Sequence, residues 1–158
     1  MKNKTTLNII FYISIFALSS AYFIEYILDF KPCNLCLLER LPYFLAIIII
    51  LLCLSLNRFE KFIFIALGLI FASATILSLY HVGIEQGFFK ESLVCISNDE
   101  INSLNKEDLM KELQKKVVSC KDVQFTLLGL SLATINSIIS FILSVITFKL
   151  FLNYEKNK

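Results

Sequence analysis

The chain has no tryptophan, a single histidine and, over 158 residues, only 18% charged side chains. A soluble domain carries about 25% charged and roughly 45 to 50% apolar residues, so this shortage of charge excludes an ordinary water-soluble globule. The formal net charge is only +2, and no basic stripe with interleaved aromatics occurs, which excludes nucleic acid as a partner. Internal repeats and low-complexity tracts are also missing, leaving one domain over residues 1–158.

What remains is apolar: 57% of residues are hydrophobic and the mean hydropathy is +0.73. A spanning helix needs about 20 such residues, with roughly 17 to 25 tolerated. Four stretches qualify, at about 7–28, 41–56, 62–80 and 125–152, the second being short unless it starts back near Cys36. The expected fold is an all-α membrane protein, a four-helix transmembrane bundle with a tight turn at Asn57 to Lys61 and loops at about 29–40 and 81–124. Lys2 and Lys4 before an apolar core, with Ala17-Leu18-Ser19 beyond, resemble a secretion signal. The apolar run continues ten residues further, so an uncleaved first span is expected.

Four spans put both termini on one side and both cysteine-bearing loops on the other. Lys2, Lys4, Arg58, Lys61, Lys149, Lys156 and Lys158 favour a cytoplasmic face for the termini and the tight turn. The long loop also carries lysines, but acids interleave them. Stable disulfides belong in an oxidising space such as the bacterial periplasm, so the cysteine loops are expected there and the chain in the inner membrane.

The chemistry centres on Lys31-Pro32-Cys33-Asn34-Leu35-Cys36-Leu37-Leu38-Glu39-Arg40. Two thiols three positions apart can close a small ring and exchange two electrons reversibly. Arg40 lies four residues after Cys36, so on a continuous helix the guanidinium would stabilise the Cys36 thiolate. Pro32 could open that helix, and Pro42 in its first turns would kink it. A lone Cys-x-x-Cys also serves as a structural clip or half a zinc site, although no metal is expected here.

Cys95 and Cys120 enclose a polar segment; a bridge between them would be worth roughly 3.5 kcal/mol by chain entropy. It would serve as a staple or, facing a second dithiol, exchange with it. Between them Ser103 to Val118 reads as a short amphipathic helix, with Leu104, Met110, Leu113 and Val117 against Glu107, Lys111, Glu112 and Lys115. His81 ends the third span, where it is either an interfacial residue or a hydrogen-bond and proton partner for a ligand. Glu85 and Gln86 follow as weaker candidates. Tyr22, Phe23, Tyr26, Phe30, Tyr43, Phe44, Tyr80, Phe88 and Phe89 form an interfacial belt, some lining a site for a flat apolar cofactor. Gly129, Ala133, Asn136, Ser137, Ser140, Ser144 and Thr147 share one face of the fourth span and read as packing. Cys53 reads as a small apolar core residue.

The Lys-Pro-Cys start, both cysteines and the Glu-Arg end of the 31–40 segment resemble the signature of the DsbB family, membrane proteins that reoxidise periplasmic thiol oxidases and reduce quinone. Tyr80-His81-Val82-Gly83-Ile84-Glu85-Gln86-Gly87 resembles a second family motif, and Cys95 with Cys120 stands where the family keeps its loop disulfide. The resemblance implies an enzyme, a protein-disulfide oxidoreductase. A DsbA-like partner attacks the Cys95–Cys120 bridge at Cys95, Cys33 reoxidises that pair, and Cys36 passes electrons to ubiquinone or menaquinone beside Arg40 and His81. Phe88 and Phe89 stand where many relatives have tryptophan. Three alternatives stay open: a relative dedicated to one specialised thiol partner, a scaffold stapled by disulfides, and a metal-binding membrane protein. A vitamin K epoxide reductase-like enzyme fits less well, because there the loop cysteines precede the Cys-x-x-Cys.

Overall fold

The computed structural model describes residues 2–56, 60–90, 95, 119–121, 123, 125–127 and 129–156. Among them run helices α1 (Lys2–Tyr26), α2 (Asn34–Leu38), α3 (Leu41–Leu56) and α4 (Glu60–Glu85), then strands β1 (Thr126–Leu127) and β2 (Leu130–Ser131), and helix α5 (Leu132–Lys156). Among the described residues, four segments are long and apolar enough to cross a membrane: Lys4–Tyr26, Asn34–Cys53, Lys61–Glu85 and Leu132–Asn153. The second joins α2 and α3 across a break.

A bilayer offers the backbone no water, so an apolar run crosses it as a helix that satisfies its own amides. The side chains sort accordingly. Tyr12, Phe16, Phe62, Ile76 and Phe141 point outward, a surface suited to lipid. Leu7, Ile10, Ala46, Ile50, Phe64, Leu67, Phe71 and Leu143 close the core. Cys53 is buried in the same cluster, as its apolar reading requires. Buried hydroxyls lean on their own helix: Ser14, Thr75, Ser78 and Thr147 each donate to the carbonyl four residues back, at 2.7 to 2.9 Å. The most extensive packing joins α4 to α5. Gly68 permits it, since a Cβ there would already stand 3.4 Å from Phe148 Cδ2, and Ser144 Oγ donates to the Gly68 carbonyl at 3.4 Å.

Helix ends depart from the hydropathy reading. The first helix stops at Tyr26, two residues short of the expected 28, where Asp29 turns the chain with φ 57°. The third span runs past residue 80 to Glu85, so His81 and Glu85 are helical rather than in a loop. Nothing polar stops it, because the breaker is Gly87 (φ 78°). The Phe88 N–H bonds the Gly83 carbonyl at 2.8 Å and the Gly87 N–H bonds that of Ile84 at 3.0 Å, the paired bonds of a Schellman cap.

The fourth span begins at Leu132, not near Phe125. Before it, β1 and β2 pair antiparallel with Gly129 (φ 81°) in the connection, so Gly129 leaves the small-residue face assigned to it. Ser131 starts the helix by accepting the Thr134 N–H at 3.2 Å. The amphipathic helix expected over Ser103 to Val118 lies outside the described residues.

Candidate redox site around Cys33, Cys36 and His81

Cys33 is the N-cap of α2. Its extended backbone (φ −74°, ψ 166°) lets its sulfur accept the Cys36 N–H at 3.2 Å. Pro32 could have opened the helix itself, but α2 begins only at Asn34, with Cys33 as its cap. Pro42, the second residue of α3, explains the break at Glu39 and Arg40: its ring excludes a hydrogen bond back into α2. The break turns Arg40 away from the role expected of it. Arg40 Nη1 donates to Glu25 Oε2 of α1 at 2.5 Å, and its guanidinium covers the Tyr22 ring at 5.0 Å.

The sulfur that receives support is that of Cys33. His81 Nε2, from the last turns of α4, stands 3.6 Å from Cys33 Sγ, and both residues are buried, at 2% and 5% exposure. The Cys33 thiol is lowered to about 5, first by the hydrogen bond from the Cys36 thiol and then, against the cost of burial, by His81. Cys33 is thus the sulfur whose neighbours favour its thiolate, while Arg40, expected to support Cys36, is engaged by Glu25.

His81 is itself held. Its Nδ1 lies 2.8 Å from Glu39 Oε1, and the other carboxylate oxygen accepts from Asn136 Nδ2 at 2.9 Å. The Asn136 amide also donates to Ser78 Oγ at 3.0 Å and accepts from the Tyr43 hydroxyl. Ser140 Oγ completes the chain, 3.1 Å from Tyr43 OH. Helices α3, α4 and α5 and the break after α2 thus meet in one hydrogen-bonded network. Glu85 closes its outer edge, with Oε1 3.9 Å from His81 Nε2.

Several of these residues were not expected at a site. Tyr43 is buried in the bundle rather than part of an interfacial belt, and Asn136 is a hub rather than packing. Glu25 and Glu39 carried a usable signal, since ionisable groups within spans are costly and seldom idle.

On its other side Cys33 joins Leu35, Ile84 and the Cys95–Cys120 disulfide in one buried cluster, with Cys36 and Tyr80 packed against it. All four loop cysteines of the sequence thereby come together, with Cys95 and Cys120 bridged and Cys33 and Cys36 as thiols. A cavity of about 650 Å³ opens beside them. Its walls are apolar side chains of α1 and α5, and Cys33, Cys36, Arg40, Tyr43, His81, Glu85 and Asn136 line it.

The model of the disulfide bond formation protein DsbB matches residues 3–150. The chain belongs to the DsbB family. Its members are helical membrane proteins of disulfide formation, a match to the four spans seen here and an indication of thiol oxidoreductase chemistry. The uncharacterized protein RP370 of Rickettsia prowazekii (strain Madrid E) is 34% identical over 147 residues, covering 92% of this chain and 85% of that protein. No solved structure matches. In this DsbB-family chain the two phenylalanines at the tryptophan position diverge: Phe89 packs at a tilt against Tyr80, 5.5 Å between centroids, whereas Phe88 is the more exposed of the two.

Proposed function

We propose that this chain reoxidises a DsbA-like periplasmic thiol oxidase and passes the electrons through Cys95–Cys120 and then Cys33–Cys36 to a membrane quinone. The observation that carries the proposal is the position of Cys33, which packs with the loop disulfide on one side and lines a cavity with Cys36, Arg40 and His81 on the other. Apolar walls with a few convergent polar groups suit a flat ring bearing an apolar tail. Arg40, His81, Glu85 and Cys36 would hold it. A bound quinone supplies an acceptor for two electrons and two protons.

The chain's own steps balance as exchange reactions. A partner thiolate attacks Cys95, the partner leaves oxidised, and Cys95 and Cys120 become thiols. These reduce a Cys33–Cys36 disulfide and recover their own bridge. The resulting state, with the loop pair bridged and Cys33 and Cys36 as thiols, is the one in the structure. Closing Cys33 to Cys36 then releases two electrons and two protons. His81, 3.6 Å from Cys33 Sγ and fixed by Glu39, is positioned to hold the proton that Cys33 gives up and to pass it on to the acceptor. With termini in the cytoplasm, the shared side of the cysteine pairs faces the periplasm of the inner membrane.

The test is quinone reduction by detergent-purified protein supplied with a reduced DsbA-like partner. Wild type should turn over, and Cys36→Ser and Cys95→Ser should each lose at least about a hundredfold, as expected when a covalent participant is removed. Equal turnover in either variant would refute the path.

A further inference from the structure

The sulfur atoms of Cys33 and Cys36 and an imidazole nitrogen of His81 lie within 4.8 Å of one another. Zinc holds thiolate sulfur at about 2.3 Å and imidazole nitrogen at about 2.0 to 2.1 Å in a tetrahedron, which sets sulfur and nitrogen about 3.6 Å apart. Cys33 Sγ and His81 Nε2 stand 3.6 Å apart. The imidazole is also presented as a metal ligand requires. Its Nδ1 is engaged by Glu39, whose second oxygen is held by Asn136, and this leaves Nε2 facing the sulfurs. A carboxylate behind a histidine is the outer-shell arrangement that fixes the ring and raises its basicity toward a metal. Glu85 Oε1, 3.9 Å from Nε2, is the nearest oxygen donor for a fourth position.

We propose that the reduced Cys33–Cys36 dithiol, together with His81, is a binding site for a thiophilic d10 cation of the zinc type, and that occupancy blocks formation of the Cys33–Cys36 disulfide. Binding transfers no electrons: one divalent cation displaces two thiol protons and bonds to both sulfurs. Two thiolates neutralise the cation, so the filled site adds no net charge to a low-dielectric interior. Once bridged to each other, the sulfurs are no longer thiolate ligands, so only the reduced protein binds. The same two cysteines and one histidine without the Glu39 support would be a weaker case; here the outer shell is already assembled.

The site stands on the geometry of the dithiol and does not depend on quinone. Its test therefore uses full-length protein in detergent without quinone, with Cys95→Ser and Cys120→Ser removing competing thiols, reduced by a phosphine and stripped by a chelator. Cobalt(II), the spectroscopic stand-in, should bind one per chain, with thiolate charge-transfer and tetrahedral visible bands that zinc(II) then abolishes. Cys53→Ala should bind equally. Glu39→Gln should weaken binding by about 10- to 100-fold, the usual cost of losing an outer-shell partner. Oxidised protein should not bind. X-ray absorption of the zinc-loaded protein, which needs no variant to fold, should count two sulfurs and at least one imidazole. A shell without sulfur, a spectrum that survives Cys33→Ser, or one lost in Cys53→Ala would overturn the site. In the quinone assay, zinc should abolish turnover in wild type and release it on chelation. Zinc binding in a protein that never reduces quinone would leave this site standing while the electron path fell.

Discussion

At the scale of residues, the site turns on which sulfur is the thiolate. Charge and spacing in the sequence favour Cys36, because Arg40 lies one helical turn away. The structure redirects both groups: Pro42 breaks the helix, Arg40 goes to Glu25, and Cys33 gathers the Cys36 N–H and His81. A thiol depressed to about 5 remains thiolate as pH falls from its usual range and is protonated only below about 5. In reduced protein, the ultraviolet absorbance of one thiolate should therefore persist down to pH values near 5. Cys36→Ala removes the first cause of the shift and should move that midpoint upward by at least about one pH unit, a loss of roughly 1.4 kcal/mol of thiolate stabilisation. A midpoint unchanged in the variant would assign the effect elsewhere. Histidine, both motif cysteines and the loop pair were all legible as chemistry. Asn136 was not, because a polar residue on a small-residue face looks like packing until its partners on α3, on α4 and at the break after α2 are known.

Among the elements, the end of α4 decides whether His81 reaches Cys33. Hydropathy fails at this end because Val82 and Ile84 continue the apolar pattern beyond Tyr80 while the polar residues are interspersed, so no composition change marks the true stop. The cap is set by backbone geometry, by Gly87 and by the two bonds returning to Gly83 and Ile84. Phe89 folds back over Gly83 so closely that a Cβ there would fall within its ring space, 2.3 Å from Cδ2. Gly83→Ala should displace Phe89 from Tyr80 and cost about 1 to 3 kcal/mol, the range for overpacking. Thermal unfolding in detergent would show a lowered midpoint, and adding Phe89→Ala should make the glycine substitution nearly neutral. If Gly83→Ala costs the same with or without Phe89, the clash is not the cause. The fourth helix carries the same lesson. Phe125 to Ser131 is apolar enough to read as membrane span, yet Gly129 and the Ser131 cap spend it on a hairpin.

For the whole molecule, four spans and their order were legible because a bilayer imposes a length and a polarity that composition reveals directly. Parity then placed both cysteine loops on one side without any contact information. What composition could not supply was convergence. The sequence separates Cys33 from Cys120 by most of the chain, and only the packing of α2, α4 and the loop disulfide makes one cluster of them. The same packing gives the cavity its two kinds of wall, apolar toward α1 and α5 and polar toward the cysteines. Function on this reading is a matter of adjacency: a loop disulfide and a dithiol packed in one cluster, and a ligand-sized space beside them. The central claim is that electrons leave the Cys33–Cys36 dithiol for a quinone. An anaerobic single turnover, mixing fully reduced protein with excess ubiquinone or menaquinone and counting quinol formed against thiols lost, tests it most directly. The account predicts one quinol for each pair of thiols, with Cys33 and Cys36 recovered as a disulfide by mass spectrometry. Thiols that persist in the presence of both quinones would contradict it.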